Sequence, residues 1–163
     1  MSQVKQSTYA KDVKLGKKAE KRFRKNFRKR YNINLIKCPG GYYSDFIDFD
    51  KKIVIELKRR DTKLLSFKYT LLCHSKLINF LRFNRRNGGR YVFIMVFHFN
   101  DGIYYFEHRD GYDYIVKPYV RNPRIGYVDK IKPYLFIPVR LLEPMDNIKK
   151  YTLSPKILVR YNI

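Results

Sequence analysis

The chain has 163 residues, in which 36 Lys and Arg oppose 14 Asp and Glu, giving a formal net charge of +22. Hydrophobic residues make up 45% of it and aromatic residues 17%, so the composition excludes a disordered chain and predicts a sizeable core. The charge predicts a polyanionic partner. Nucleic acid is favoured over a membrane surface, because Lys and Arg neutralise phosphates and no apolar stretch approaches the roughly 20 residues of a spanning helix.

The first 31 residues contain one helical pattern. Residues 1–11 are predicted to be a flexible lead-in, and Asp12 to Tyr31 a helix. Its apolar stripe recurs every four residues at Leu15, Ala19, Phe23, Phe27 and Tyr31. The other faces are basic and could simply be solvated. We favour phosphate contact, because so many like charges repel one another without a partner, and expect contacts from Lys17, Lys18, Lys21, Arg24, Lys25 and Arg28.

The rest of the chain alternates strands and a helix. In order, the predicted elements are a strand near Ile33–Lys37, a hairpin over 44–58, a helix over about 66–87 capped by Gly88-Gly89, a buried strand at Tyr91–Phe99, a turn at Asp101-Gly102 into Ile103–Glu107, and short C-terminal strands such as Tyr134–Val139 and Ile157–Tyr161. This order predicts an α/β fold with a mixed sheet, as a single domain over residues 12–163.

The hairpin over residues 44–58 places acids close together. A two-residue turn that starts at Asp50 puts Asp45 directly opposite Glu56. A turn shifted by one residue pairs Asp45 with Lys58 instead. In both registers Asp45 shares one face with Glu56 and Lys58, because side chains alternate along a strand.

These residues predict a magnesium site. Asp48 falls on the opposite face in either register, so Asp45 is the preferred acid. Opposed Cβ atoms lie about 5 Å apart, which lets Asp45 and Glu56 share one ion. Mg²⁺ takes oxygen ligands and keeps several waters, so two carboxylates and one backbone carbonyl, that of Leu57, suffice as protein ligands. We expect Mn²⁺ to substitute for Mg²⁺. Lys58 is expected to orient or deprotonate the attacking water and to stabilise charge on the phosphate.

The tripeptide alone is weak evidence, because similar ones recur at Asp12-x-Lys14, Asp50-x-Lys52 and Asp61-x-Lys63. Glu56 differs in ending an apolar strand and in having Asp45 opposite. The alternative to a metal site is that these residues form an exposed cross-strand salt bridge, which would contribute at most about 1 kcal/mol to stability.

Other polar residues have less definite roles. Glu20 borders the apolar stripe of the first helix, so it is predicted either to reach the metal site or to form an intrahelical pair with Arg24. Lys76, in the second helix, is a candidate phosphate contact. Cys38 and Cys73 lack Cys-x-x-Cys spacing and are predicted to be reduced packing residues of an intracellular protein. The tyrosines are too evenly spread to predict a base-stacking platform.

Together these residues resemble the PD-(D/E)xK nuclease superfamily, and within it the RecU-type Holliday junction resolvases. The matching residues, in chain order, are Gly16-Lys17-Lys18-Ala19-Glu20, Lys37, Asp45, Glu56-Leu57-Lys58, Thr62, Ser66-Phe67, His74-Ser75 and Gly88-Gly89. The resemblance covers roughly residues 14–107 and leaves a basic C-terminal extension at about 115–163.

The resemblance implies a restriction-endonuclease-like fold and a homodimer that cuts four-way DNA junctions symmetrically with Mg²⁺. It makes Asp45 and Glu56 metal ligands, Lys58 the catalytic lysine and Glu20 an accessory catalytic acid. Lys37 and Thr62 become DNA contacts. The composition, rich in Lys, Asn, Ile and Tyr, would suit a phage or viral version, so the expected location is the cytoplasm of a bacterial or virus-infected cell.

Three features depart from the family pattern. Ser75 replaces a glutamine, Thr62 lies farther from the Glu-x-Lys than expected, and the segment between Lys37 and Asp45 is too short for the family's protruding stalk. Junction selectivity would then depend on the first helix and the C-terminal third.

Three functions follow from the sequence. The leading hypothesis is a Mg²⁺-dependent, structure-selective DNA endonuclease that resolves junctions. The second is a site-specific endonuclease of the same superfamily, and the third is a non-catalytic basic module that coats nucleic acid.

Overall fold

A computed structural model describes residues 3–39, 42, 44–120 and 131–151 of the chain, with side chains described for 14–148 of those residues. Within these ranges the chain forms two α-helices and nine β-strands in an α/β arrangement, as a single domain with a mixed sheet. The α/β prediction is therefore confirmed. The predicted strand at Ile157–Tyr161 lies outside the described residues.

The main sheet has six strands in the order β1-β2-β3-β5-β6-β9. Their bounds are β1 Ile36–Lys37, β2 Phe46–Asp48, β3 Ile53–Arg59, β5 Val92–Phe99, β6 Gly102–Glu107 and β9 Glu143–Pro144. The central pair, β3 and β5, is parallel and the other pairs are antiparallel. The strand predicted near Ile33–Lys37 is shorter than expected, and the buried strand is confirmed. The turn predicted at Asp101-Gly102 lies one residue earlier, at Asn100-Asp101, because Gly102 already pairs with Phe99.

A second sheet has three antiparallel strands in the order β4-β8-β7. They are β4 Tyr69–Cys73, β7 Ile115–Tyr119 and β8 Lys132–Pro138. Short 3-10 turns lie at Leu64–Ser66, Val139–Leu141 and Met145–Tyr151. The short strands predicted for the C-terminal third are present within residues 131–144.

The helices cover opposite faces of the main sheet. Helix α1, Gln3–Tyr31, packs on one face, and helix α2, His74–Arg86, packs with the small sheet on the other. Alternation along β3 sorts its side chains between these layers. Ile53, Ile55 and Leu57 join the α1 core, whereas Val54 joins the α2 core and Glu56 reaches α2 through Lys76.

Helix α1 begins at Gln3, so its predicted start at Asp12 was too late and residues 3–11 of the predicted lead-in are helical. Phe23, Phe27 and Tyr31 are buried against the sheet, as predicted. Leu15 is 39% exposed, so the burial of the stripe begins C-terminal to it.

Helix α2 begins at His74, not near Ser66 as predicted. The residues between Ser66 and His74 form the end of a 3-10 turn and strand β4. Burial of Thr70 and Leu72 against the core stabilises the strand in place of the predicted helix. Its end is as predicted. Gly88 and Gly89 have φ of 76° and 68°, and Gly89 N–H donates to the Asn84 carbonyl at 2.8 Å, which is the left-handed C-terminal cap that glycine favours.

The register of the hairpin is the one predicted for a turn at Asp50. Phe46 pairs with Ile55 and Asp48 with Ile53, which brings Asp45 opposite Glu56. Asp48 is buried on the other face, and its carboxylate accepts three backbone N–H groups, from Asn34 at 2.9 Å, Asp50 at 3.0 Å and Lys51 at 2.8 Å. Asp48 is therefore a structural acid that closes the turn.

Replacing Asp48 tests this structural role. We expect Asp48→Ala to lower the free energy of unfolding by about 2–3 kcal/mol, because it leaves partly buried N–H donors without an acceptor. The exposed Asp50→Ala is the control and should stay within about 0.5 kcal/mol of the wild type. Urea denaturation followed by circular dichroism measures both, and equal effects would contradict the assignment.

Candidate active site

Glu56 is the central residue of β3, and 0% of its side chain is exposed. One carboxylate oxygen forms an ion pair with the Lys58 ammonium, and the other lies 3.1 Å from Lys76 Nζ of α2. Both oxygens are buried, and these two ammonium groups are the contacts found for them among the described residues. A buried carboxylate in this state is costly to the fold.

Burial dominates the electrostatics of this carboxylate. It raises the pKa of Glu56 above the usual 4.5 and outweighs the opposing effect of the Lys58 and Lys76 charges. The negative charge of Asp45 raises the pKa further. Such a shift at a cluster of charged groups is common at functional sites.

Asp45 lies just before β2, opposite Glu56, and is fixed by the backbone of β3. Its N–H donates to the Ile55 carbonyl at 3.1 Å, and its Oδ2 accepts from Leu57 N–H at 2.9 Å. Because the N–H and C=O of one strand residue point to the same side, the Leu57 carbonyl is directed towards Asp45 as well. The three predicted ligands, Asp45, Glu56 and Leu57, are therefore neighbours beside the middle of β3.

Glu20 joins this cluster through Lys37. Lys37 Nζ lies 2.6 Å from Glu20 Oε2 and 3.7 Å from Asp45 Oδ1. Of the two predicted positions for Glu20, the structure favours the one beside the site, and the ion pair found for it in the described part of the chain is with Lys37 instead of Arg24. Its contact with Asp45 is indirect.

Three acids and three lysines thus form one charge-balanced cluster, which we call the acid–lysine cluster: Glu20, Lys37, Asp45, Glu56, Lys58 and Lys76. The lysines neutralise the acids through these ion pairs. A divalent cation would take over that neutralisation and leave the ammonium groups to bind phosphate oxygens.

The residues present fit a magnesium ion. Within the described residues, no group of three or more His, Cys, Asp or Glu side chains is placed to hold a metal. The predicted set needs fewer, since two carboxylates and one carbonyl oxygen suffice for an ion that keeps several waters. The buried Glu56 carboxylate, whose oxygens contact positively charged groups, is the observation that fits a cation best.

The predicted nucleic-acid contacts other than Thr62 fall into two groups. Lys37 and Lys76 are in the acid–lysine cluster. The second group lies along helix α1 and is exposed: Lys17, Lys18, Lys21, Arg24, Lys25 and Arg28.

A cleft of about 590 Å³ adjoins the acid–lysine cluster. Lys58 and Lys76 line it, together with Thr62 and Arg60. Arg60 was not predicted, although it follows Lys58 at the strand period of two and could have been identified from that spacing. Its Nε donates to Thr70 Oγ1 at 3.1 Å.

No protein-family model matches the chain, and no curated protein matches it at a significant level. In the described part of the chain, neither helix combines the length and the apolar character needed to cross a membrane. Cys38 and Cys73 are both free thiols, as predicted.

The buried carboxyl predicts a pH dependence of stability. Because the pKa of Glu56 is raised, the folded chain keeps a proton that the unfolded chain loses near pH 4.5. Ionising Glu56 therefore lowers the free energy of unfolding as the pH rises from the usual pKa through the raised one. We expect the free energy of unfolding of Glu56→Gln, relative to that of the wild type, to increase over that pH range in metal-free buffer. Urea denaturation at several pH values measures it, and parallel curves for the two proteins would refute the effect.

Proposed function

We propose that this chain is a Mg²⁺-dependent DNA endonuclease with a restriction-endonuclease-like fold, similar to the PD-(D/E)xK superfamily. The observation that supports it best is the buried Glu56 carboxylate. It lies between two lysine ammoniums and beside Asp45, with no surface exposed to water. In a chain of net charge +22, a cluster of acids beside a surface suited to phosphate is difficult to explain without a cation.

Asp45, Glu56 and the Leu57 carbonyl would hold the metal. Mg²⁺, or Mn²⁺ in its place, supplies Lewis-acid polarisation of the scissile phosphate and a lowered pKa for the attacking water. Asp45 is held in position by the Leu57 N–H, and Glu56 by the strand in which it is buried. The ligands are therefore preorganised on a rigid element.

Lys58 and Lys76 act on the substrate. Released from Glu56, Lys58 orients the nucleophilic water and neutralises the charge that develops on the phosphate. Lys76 lines the same cleft and contributes a further positive charge for the adjacent backbone. Glu20 acts as an accessory acid through Lys37, whose position it fixes.

The preferred substrate is a four-way DNA junction, cut symmetrically by a homodimer. This part of the proposal is supported by the resemblance to RecU-type resolvases and by the place of Lys37, which matches a family lysine and contacts both Glu20 and Asp45. The exposed bases of α1 would contact the duplex arms. A site-specific endonuclease of the same superfamily would use the same chemistry.

A non-catalytic binding module is less well supported. Such a module needs lysines on its surface but gains nothing from a fully buried carboxylate next to phosphate. The cost of burying Glu56 is understandable if the carboxylate binds a cation.

Cleavage of a synthetic four-way junction, compared with linear duplex of the same sequence, tests the function. We expect Mg²⁺-dependent paired cuts in the junction, and a rate at least about a hundredfold lower in Asp45→Ala and Glu56→Ala, because each variant removes a charge-stabilising ligand. Asp50→Ala, at an exposed acid, should cut normally.

Each alternative has its own outcome in that assay. Equal cutting of linear duplex would remove the junction selectivity and keep the nuclease. No cutting with any divalent ion, with salt-sensitive binding unchanged in both variants, would reject the nuclease in favour of the binding module.

Lys58→Ala separates chemistry from binding. We expect it to bind the junction with near wild-type affinity and to lose turnover, since its ammonium acts on the developing charge. Lys51→Ala, in the hairpin turn, is the matched lysine control. Gel-shift and single-turnover measurements on the same samples give both quantities. Lost binding in a folded Lys58→Ala protein would make Lys58 a phosphate contact only.

A further inference from the structure

The small sheet has one buried face and one aromatic face. Alternation sends Thr70, Leu72, Leu135 and Ile137 into the core, where each is at most 4% exposed. The other face carries aromatic rings. On it, β4 pairs with β8 at Cys73↔Tyr134 and Leu71↔Phe136, and β7 pairs with β8 at Tyr119↔Lys132. We call this the aromatic face, defined by Tyr69, Tyr119, Tyr134 and Phe136. The even spread of tyrosines along the sequence concealed it, because its residues come from three strands.

The rings of the aromatic face contact one another edge to face. Tyr119 lies 5.9 Å from Tyr134 and 6.2 Å from Phe136, with interplanar angles of 80° and 86°. Tyr69 lies 6.1 Å from Phe136 at 74°. No parallel ring covers the faces of these side chains in the contacts found for the described part of the chain, and Tyr119 is 41% exposed. A planar group from a ligand can therefore stack on the exposed part of this face.

The aromatic face is continuous with the acid–lysine cluster. All four of its rings line the cleft of about 590 Å³ that Lys58 and Lys76 also line. Arg60 and Lys68 add positive charge to the same wall, and Asp61 is the acid among the lining residues. A surface that combines aromatic rings with basic side chains matches a nucleic-acid strand whose bases are unpaired.

We propose that the aromatic face binds unpaired nucleotides of a DNA substrate, with bases stacked on Tyr119, Tyr134 and Phe136 and the backbone held by Lys58, Arg60 and Lys76. Resting on the proposed nuclease function, this narrows the substrate class to branched DNA in which the nucleotides beside the cut are unpaired when bound. Duplex DNA offers stacked bases whose faces are covered, so the same surface discriminates against it. Selectivity for branched DNA then needs no stalk.

Binding without cleavage tests this directly. Fluorescence anisotropy in EDTA compares a labelled oligothymidylate of about 12 nucleotides with a duplex of the same length. We expect Tyr119→Leu to weaken single-strand binding about tenfold and duplex binding less than about twofold, because leucine keeps apolar area but removes the ring. Tyr119→Phe keeps the ring and should bind as the wild type does.

A folding check, a second variant of the aromatic face and a control variant outside it complete the test. Tyr119 lies on the edge strand β7 and is 41% exposed, so its replacement leaves the core intact, which circular dichroism verifies. Tyr134→Leu is the second test of the face and should show the same selective loss. Phe49→Leu changes an aromatic residue, 48% exposed, in the hairpin turn at the other end of β3 and should have no effect.

Three results would overturn the proposal. The first is that Tyr119→Leu and Tyr134→Leu bind single-stranded DNA with wild-type affinity. The second is that they lose equal affinity for single strand and duplex. The third is that they bind DNA unchanged but no longer self-associate, which would assign the face to a second copy of the chain. The nuclease proposal is judged separately by cleavage with Mg²⁺. Selective single-strand loss without any cleavage activity would keep the aromatic face and reject the nuclease.

Discussion

A carboxylate with no exposed surface, held between two ammonium groups, is the constraint on which the rest of this structure depends. Glu56 is in the central part of the main sheet, and its charge is removed from water at a considerable free-energy cost. Lys58 from the same strand and Lys76 from α2 offset part of that cost. Their positions in turn require the parallel pairing of β3 with β5 and the packing of α2 on the same face.

The same strand connects chemistry with recognition. Asp45 and Leu57 lie on the side of β3 that faces β2, and Lys58 and Arg60 continue into the cleft formed with the small sheet. Three kinds of group therefore lie next to one another: acids that can bind a cation, lysines that can bind phosphate and aromatic rings that can stack on bases. Helix α1 adds an exposed basic surface on the opposite layer and reaches the cluster through Glu20 and Lys37.

Local pattern was sufficient for the parts of the fold that one segment determines. The choice of Asp45 over Asp48 followed from alternation, and the structure gives Asp48 a separate role as acceptor for the turn. Glycine positions located the end of α2. Features formed by distant segments were not predictable in this way. Strand β4 was mistaken for helix because its partner, β8, follows more than 50 residues later, and the pairing of Lys76 with Glu56 depends on tertiary packing.

The central claim is that Glu56 and Asp45 bind a divalent cation in place of their lysine partners. Isothermal titration of Mn²⁺ into the protein, alone and with four-way junction DNA, tests it most directly. The account predicts one saturable site per chain that is lost in Glu56→Gln and Asp45→Asn and retained in Asp50→Asn. Mn²⁺ binding that is absent from the wild type, or identical in wild type and both variants, would contradict it.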